Sequence, residues 1–238
     1  MITFDSATAT FRGPAPALEA LAAALAADGA LPEVLAAHAP EVAEDPAMPG
    51  LREALATPLF RLEITVSGPG AQQKHRILIG ANGVGVRRSP LRDGHAELSA
   101  FPLGTLPGGM TRLVRFLPGA APLPEQGPIE VPGEQLVQLA SADQDTRVTA
   151  WSALAPLLGT ALGEAADVSW QIVEARSSWR SLTGEDSEDL SVQIRRADHH
   201  LLVEEENGST LLRPVTSLRA WEELIRVLPA HDQVASPR

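Results

Sequence analysis

Two kinds of hydrophobic pattern alternate along the chain, and they predict helices and strands in separate blocks. In some segments apolar residues recur every three or four positions, which is the period of a helix that buries one face. Asp45 followed by Pro46 predicts a helix start, because a carboxylate caps the first turn and proline fits its first position. The predicted helical segments are 16–38, with a break at Asp28-Gly29, then 46–57, 106–118, 133–141, 145–158 and 217–228.

Other segments alternate apolar and polar residues, which is the period of a half-buried strand. Asn82-Gly83 and Asn207-Gly208 fall between such segments and suit the positive φ angles of tight hairpin turns. Because hairpins dominate the connections, we predict an α+β fold with a central, largely antiparallel sheet. The predicted strands are 61–66, 75–80, 84–88, 96–101, 129–131, 168–175, 189–196, 199–205 and 209–213.

The two halves of the chain end on nearly the same string of residues. LVRFLP occupies residues 113–118 and LIRVLP occupies residues 224–229, and each string closes a helix that follows strands and a Pro–Thr junction. Repeated units of this kind bury their apolar faces against each other. We therefore predict a single domain of two pseudo-symmetric halves. The predicted bounds are 1–118 and 129–229 for the halves, 119–128 for a Pro/Gly-rich connection and 230–238 for a frayed tail.

Composition excludes several classes of function. The net charge of −11 disfavours nucleic acids and anionic membranes, which require clustered cations. The chain has no cysteine, so disulfides and thiolate sites are excluded. No apolar run of about 18 residues occurs, and the first residues lack the apolar core of a signal peptide. We therefore expect a cytoplasmic protein without membrane insertion.

Two features resemble nucleotide or metal motifs, and each has a simpler interpretation. Gly80, Gly83 and Gly85 lead into a predicted strand, whereas the glycines of a phosphate-binding loop lead into a helix. A hairpin turn is therefore the better interpretation. His199 and His200 are adjacent on a predicted strand, so their side chains point to opposite faces and do not converge on one ion.

The segment SSWRSLTGEDSE at 177–188 predicts a solvated acidic loop. Its carboxylates do not follow the ligand spacing of a calcium loop. Ser67 lacks the G-x-S-x-G context of a hydrolase nucleophile. We predict no catalytic residues, no metal and no cofactor. A small-molecule hydrolase is the least favoured of three functional hypotheses.

Two features are less easily explained by packing alone. The connection SGPGAQQK at 67–74 joins two strong strands, is long for a hairpin and carries Lys74, the single lysine of the chain. Trp221 lies beside Glu222 and Glu223 on the last predicted helix. A tryptophan at a partly exposed position is a frequent interface anchor, although a core position is the preferred interpretation of Trp221.

The order of these parts resembles the EspG family, the ESX (type VII) secretion-associated proteins of actinobacteria. The similarity is carried by order and spacing over most of the chain, and none of the matching strings is a catalytic motif. The acidic segment 183–189 departs from the family, which has a Gly- and Arg-containing stretch before its last strands. The matching segments are EDPAMPGLREALATPLFRLEITV (44–66), HRILIGANGVGV (75–86), LPGGMTRLVRFLP with GPIEVPGEQL (106–136), and DLSVQIRR through LRPVTSLRAWEELIRVLP (189–229).

The resemblance implies a cytoplasmic, non-catalytic chaperone with two helical bundles on a central antiparallel sheet and quasi-two-fold symmetry. Family members bind the helical tip of PE–PPE substrate pairs and keep them soluble for export. A loop between two strands and the later helical bundle contribute to that binding. Mapped by position, the implied substrate-binding residues are Ser67, Gly68, Pro69, Gly70, Ala71, Gln72, Gln73, Lys74, Trp151 and Trp221.

Two alternatives remain open from the sequence. The secreted partners are helical hairpins of the PE–PPE type or of the WXG100 type. A function of another class, a self-associating structural or regulatory module without a secretion role, follows from the edge strands that a pseudo-symmetric sheet offers to a second copy. The oligomeric state, monomer or homodimer, is left undecided.

Overall fold

The computed structural model describes residues 1–27, 38–119, 127–162 and 169–235. The predicted break at Asp28-Gly29, the helix predicted after it and most of the predicted connection 119–128 lie outside the described residues. Within the described residues eleven strands form one sheet, in which all neighbouring strands are antiparallel. The strands are β1 (Thr3–Asp5), β2 (Thr10–Pro14), β3 (Phe60–Ser67), β4 (Gln72–Ile79), β5 (Val84–Pro90), β6 (His95–Pro102), β7 (Ile129–Val131), β8 (Trp170–Arg180), β9 (Asp186–Arg196), β10 (His199–Glu206) and β11 (Ser209–Val215).

Outward from the middle of the sheet, each side begins with four strands that are consecutive in the chain and ends with strands that precede them in the sequence. The full order is β1-β2-β6-β5-β4-β3-β8-β9-β10-β11-β7. Strands β3 and β8 form the central seam, which runs from the pair Phe60–Trp179 to the pair Ser67–Ile172. A four-strand meander and a helix follow on each side: β3 to β6 before one helix, β8 to β11 before another. This order confirms the predicted α+β fold with a quasi-two-fold arrangement. The division into halves at the connection 119–128 stays a prediction.

The helices occupy both faces of the sheet. Two groups, α1–α3 and α5–α6, cover one face on either side of the central seam, and α4 and α7 pack on the opposite face. None of the helices in the described ranges is long and apolar enough to cross a membrane. The helices are α1 (Ala15–Ala26), α2 (Ala39–Glu44), α3 (Met48–Ala56), α4 (Leu106–Leu113), α5 (Gly133–Leu139), α6 (Gln144–Leu162) and α7 (Ser217–Arg226).

Three apolar clusters hold these layers together. The first joins α1 and α3 to the outer strands around Phe11 and Leu98. The second lies at the centre, where α4 and α7 cover the apolar residues of β3 and β4. The third joins α5 and α6 to β8 and its neighbours around Ile172 and Leu201. Each helix group therefore buries its apolar face on a different part of one continuous sheet.

Several predictions about local structure were wrong. Strands β1 and β2 were not predicted at all. The segment 177–188 is mostly strand, because β8 continues to Arg180 and β9 begins at Asp186, which leaves a short turn between them. The predicted helix start is displaced: the Asp45 carboxylate accepts from the Ala47 amide at 2.8 Å, and α3 begins at Met48, two residues after the predicted first position Pro46.

The ends of the two halves also differ from the prediction. Helix α4 ends at Leu113, so LVRFLP lies mostly beyond it, whereas LIRVLP begins inside α7. The predicted frayed tail is held as far as Ala235. Its residues 231–233 form a 3-10 turn, and the Ala235 amide donates to the carbonyl oxygen of Arg180 at 2.8 Å. Residues 236–238 lie outside the described residues.

Residues 114–119, which we call the strap, cross the α4–α7 face of β8, β9 and β10 without forming a helix or strand. Side chains from successive elements hold its backbone. Gln171 donates to the carbonyl of Val114 at 2.7 Å, Arg195 to that of Arg115 at 2.6 Å, and Ser217 accepts from the Gly119 amide at 2.7 Å. The strap therefore carries the chain from the first meander onto the second.

Candidate protein-binding surface

The predicted connection 67–74 is a tight turn rather than a flexible loop. Ser67 is the last residue of β3 and is fully buried, and Gln72, Gln73 and Lys74 belong to β4. The amide of Gly68 donates to the carbonyl of Ala71 at 3.0 Å, which closes a four-residue turn from Gly68 to Ala71. Pro69, Gly70 and Ala71 are exposed at its tip.

Gln72 and Arg147 attach this β3–β4 turn to the α5–α6 pair. The side-chain amide of Gln72 donates to the carbonyl of Ala140, just after α5, at 2.6 Å. Arg147, in the first turn of α6, donates through Nε to the carbonyl of Gly68 at 2.9 Å. Its Nη1 donates to the carbonyls of Ser141 and Ala142, both at 2.8 Å. The turn and the helix pair therefore form one structural unit.

The first turn of α6 is fixed by a capping interaction. Asp143 Oδ2 accepts from the hydroxyl of Thr146 at 2.7 Å and from its amide at 2.8 Å. The hydroxyl bond, followed by the amide bond, lowers the pKa of the Asp143 carboxyl because both favour its charged form. The cap sets the direction in which α6 leaves the turn, and with it the position of Arg147.

The same helix pair exposes three apolar side chains. Val137 on α5 is 75% exposed, and Val148 and Leu157 on α6 are 43% and 42% exposed. The outward-facing positions between Val148 and Leu157 carry no charge. We call Val137 together with the exposed face of α6 from Val148 to Leu157 the α5–α6 surface. Its other exposed members are Thr149, Ser152, Ala153 and Pro156.

Trp151 lies on the side of α6 that faces the sheet. Its ring stacks on that of Trp170 in β8, with ring centroids 4.9 Å apart and planes inclined by 16°. Trp170 is buried, and Trp151 is half-buried against the third apolar cluster. Trp151 therefore fixes α6 to the sheet.

Trp221 lies elsewhere. It belongs to α7, on the opposite face of the sheet, where its ring centroid is 5.7 Å from that of Phe116 in the strap. The structure thus brings the predicted residues 67–74 and Trp151 together and separates Trp221 from them. The assignment of Trp221 as a binding residue stays a prediction, and it concerns a separate surface on the opposite face of the sheet.

Lys74 is engaged in an ion pair beside the turn. Its Nζ lies 2.7 Å from a carboxylate oxygen of Glu63, and Arg76 Nε lies 3.0 Å from the other. Burial alone raises the pKa of Glu63, but the hydrogen bond and charge of Lys74, aided by Arg76, outweigh that effect and lower it. Gln73 pairs with Val66 on the other face of the sheet, away from the α5–α6 surface.

Sequence reasoning did not identify Arg147 or Val137. Arg147 is the only cation between residues 127 and 162, and it opens a long uncharged stretch of helix. An isolated arginine in that position indicates a fixed structural role, because an arginine is seldom buried without acceptors for its donors. That signal was available in the sequence.

The described part of the chain also contains a buried serine–histidine pair, remote from the α5–α6 surface. His75 Nδ1 lies 2.9 Å from Ser89 Oγ. Burial, and then the charge of Arg87, lower the pKa of His75 to about 4, which makes it a weak base. No group of His, Cys, Asp or Glu in the described residues is arranged to hold a metal ion.

No family model and no curated protein matches this chain. Among solved structures, it is similar to the Mycobacterium tuberculosis type VII secretion system chaperone EspG5, determined in complex with a PE25–PPE41 dimer. The match has a TM-score of 0.51 and 11% sequence identity, and it covers 95% of this chain and 100% of that chain. At this identity the likeness establishes the fold alone: over 95% of its length this chain shares the α+β architecture of that structure.

Proposed function

We propose that this chain is a chaperone that binds helical secretion substrates of the PE–PPE type in the cytoplasm and keeps them soluble for export. The fold likeness to a chaperone whose structure contains a PE–PPE dimer supports this proposal. The observation that carries it is the α5–α6 surface, joined to the β3–β4 turn by Arg147.

The physical argument concerns exposed apolar area. A protein with a net charge of −11 has on α6 a stretch of more than ten residues without a charge, and Val137 on α5 is 75% exposed. Exposed apolar side chains on an uncharged helix face favour contact with another protein. A helix packs its apolar stripe into such a surface in the helix-in-groove mode of recognition.

The alternative of a self-associating module has less support. Pairing between sheets requires an accessible edge, and the strands at the two edges, β1 and β7, have three residues each. Short edge strands are a known means of preventing edge-to-edge association.

The test is co-purification with secretion substrates. Tagged protein is co-expressed with PE25–PPE41, with PE–PPE pairs from the genome that encodes this chain, and with WXG100 proteins from that genome. We expect a PE–PPE pair to co-elute in a defined complex on size-exclusion chromatography. Recovery of a WXG100 protein in place of every PE–PPE pair would transfer the role to that substrate class, and recovery of neither would contradict the proposal.

The surface is tested by charged substitutions at exposed positions. Val137→Glu with Val148→Glu places two carboxylates on the α5–α6 surface and should abolish the complex without unfolding the protein. Leu182→Glu with Leu91→Glu is the matched control, because these leucines are 67% and 43% exposed and lie outside both this surface and α7. Equal loss of binding in the two variants would show that the α5–α6 surface is not the site.

A further inference from the structure

The strap, residues 114–119, is held by one row of side chains across the sheet. Gln171 of β8, Arg195 of β9 and His200 of β10 lie opposite one another in register. Gln171 and Arg195 donate to strap carbonyls at 2.7 Å and 2.6 Å, and His200 Nε2 lies 3.2 Å from the carbonyl oxygen of Leu117. The strap is neither helix nor strand, so this row fixes its backbone where it crosses the sheet.

Apolar side chains are exposed where the strap meets α7. Leu117 is 61% exposed and Leu218 is 67% exposed. Trp221 is half-buried, and its ring centroid is 5.7 Å from that of Phe116 in the strap. Leu218 and Trp221 are three residues apart on α7 and are therefore neighbours on its surface. The last residue of the strap is hydrogen-bonded to Ser217 at 2.7 Å, so the strap and the first turns of α7 lie side by side.

Three arginines at the start of the strap have no carboxylate partner. The amide of Arg115 donates to the carbonyl of Arg112 at 3.2 Å, and the guanidinium of Arg195 lies 2.6 Å from the carbonyl oxygen of Arg115. None of the three forms an ion pair with a described residue. Arg112 and Arg115 are exposed, and Arg195 is partly exposed. A protein with a net charge of −11 thus carries unpaired positive charge at this end of the strap.

Two exposed carboxylates belong to the same part of the molecule. Asp198 lies in the β9–β10 turn beside Gly119, at the other end of the strap. Glu222 follows Leu218 by four residues on α7 and pairs with Arg219 at 3.7 Å. Asp198 forms no ion pair within the described ranges, so one unpaired carboxylate stands against three unpaired arginines.

We propose that this region is a second protein-binding surface, and that its partner presents a segment with apolar side chains and carboxylates. We call it the strap–α7 surface, and it consists of Leu117, Leu218 and Trp221 together with Arg112, Arg115 and Arg195. It lies on the face of the sheet opposite to α5 and α6, so a partner bound here leaves the α5–α6 surface free.

The physical argument combines three terms. Tryptophan and arginine are the residues that most often anchor protein interfaces, and the exposed leucines add apolar area around Trp221. Charge complementarity between the unpaired arginines and the partner's carboxylates selects an acidic segment. Because the strap backbone is already fixed, little conformational entropy is lost when its exposed side chains bind. A second copy of this chain is disfavoured as the occupant, because two molecules of charge −11 repel each other.

The experiment uses three synthetic peptides that share the same leucine residues and carry glutamate, glutamine or lysine between them. Binding to the full chain is measured by fluorescence anisotropy at about 0.05 M salt, where exposed charges are weakly screened. We expect the glutamate peptide to bind about tenfold more tightly than the lysine peptide, with the glutamine peptide between them.

Two variants with matched controls locate the binding. Leu117→Glu with Leu218→Glu should weaken binding of the glutamate peptide more than tenfold, because it places two carboxylates in the apolar part of the surface. Its control, Val137→Glu with Val148→Glu, changes exposed positions on the opposite face and should leave peptide binding unchanged.

Charge reversal tests the arginines. Arg112→Glu with Arg115→Glu should invert the preference, so that the lysine peptide binds more tightly. Arg195 is left intact because it holds the strap backbone. The control, Arg61→Glu with Arg92→Glu, changes the net charge equally at exposed positions outside the strap–α7 surface and should leave the preference unchanged.

Equal affinity of the three peptides, a preference for lysine, or unchanged binding to Leu117→Glu with Leu218→Glu would each overturn the inference. Loss of binding in Val137→Glu with Val148→Glu would place the peptides on the α5–α6 surface and would also contradict it. A dimer that light scattering detects in the unmodified protein, and that Leu117→Glu with Leu218→Glu dissociates, would assign the surface to a second copy instead. These results do not depend on PE–PPE binding, so they are distinct from failure of the proposed function.

Discussion

Arg147 donates from Nε to the carbonyl oxygen of Gly68 across 2.9 Å, and so joins helix α6 to a turn that precedes it by 79 residues. Its guanidinium is buried and satisfied by backbone carbonyls, without a carboxylate partner among its hydrogen bonds. Carbonyl acceptors stabilise the charge while they fix the backbone that provides them. The β3–β4 turn therefore owes its position to a residue on a different element.

Replacement of Arg147 by methionine should destabilise the protein. It retains most of the side-chain volume but leaves three partly buried carbonyls without their donor, and we expect a loss of about 3 kcal/mol in the free energy of unfolding. Hydrogen exchange should also become faster at the amides of the turn. Urea denaturation and exchange mass spectrometry provide the two measurements.

A matched control for that variant is Arg219→Met, on the exposed side of α7. Arg219 forms ion pairs with Glu222 and Glu223 while its side chain stays 55% exposed. Exposed pairs contribute roughly 0.2–1 kcal/mol, so the control should lose no more than about 1 kcal/mol. An equal loss in both variants would show that Arg147 has no special role.

The free energy of unfolding should fall as the pH is lowered through the range between the pKa values of His75 in the folded and unfolded states. The pKa of this 4% exposed histidine is about 4 in the folded protein, against 6.5 for an ordinary histidine. Between these values the unfolded chain binds the proton more readily, so the free energy of unfolding decreases from pH 6.5 to pH 4. The decrease amounts to at most about 3 kcal/mol, and above pH 6.5 this part of the stability is present in full.

His75→Gln should remove this part of the pH dependence, as measured by urea denaturation at a series of pH values. The same substitution at His95, which is exposed on β6, should leave the acid-induced loss in place. A profile for His75→Gln that still follows the unmodified protein would mean that another group controls acid stability.

Two helical glycines should respond in opposite directions to alanine. A Cβ at Gly50 in α3 would lie 2.6 Å from Val84 Cγ2, so Gly50→Ala should lower the melting temperature despite the better helix propensity of alanine. A Cβ at Gly109 in α4 would have no atom within 4 Å, so Gly109→Ala should stabilise the protein by about 0.5–1 kcal/mol. Differential scanning calorimetry measures both, and a shift of the same sign would contradict the close approach of α3 to β5.

Trp151 should contribute to the free energy of unfolding. Trp151→Ala removes the stack on Trp170 and should cost about 3 kcal/mol in unfolding free energy. Val137→Ala, at a position 75% exposed, should change stability by less than about 0.5 kcal/mol. Denaturant titration distinguishes the two, and equal effects would place Trp151 outside the core.

The sequence predicted the parts of the fold whose signals are local. The turns at Asn82-Gly83 and Asn207-Gly208 are where the residue types required them, with Gly83, Asn207 and Gly208 at positive φ. Strands β1 and β2 carry no such signal, because neither segment alternates apolar and polar residues. The facing ends of β8 and β9 carry none either, because a solvent-exposed hairpin has the polar composition of a loop.

The candidate site was less accessible to sequence reasoning, for a physical reason. The segment 67–74 was chosen for its length, but Gln72 and Lys74 are strand residues, and the turn is ordered by hydrogen bonds to α6 and to the residue after α5. Contacts across about 70 to 80 residues leave no periodic signal in either partner. Only Arg147, the single cation before a long uncharged stretch of α6, indicated a buried contact with another part of the chain.

The pairing of β3 with β8 at the central seam also affects how the chain folds during synthesis on the ribosome. Strand β3 pairs with β8, which the ribosome completes more than one hundred residues later. Until Arg180 has left the exit tunnel, β3 has an unpaired apolar edge in the middle of the future sheet, where it is open to pairing with another nascent chain. Synthesis slowed between residue 68 and the emergence of Arg180 from the tunnel should therefore increase aggregation, whereas a pause after Arg180 has emerged should not.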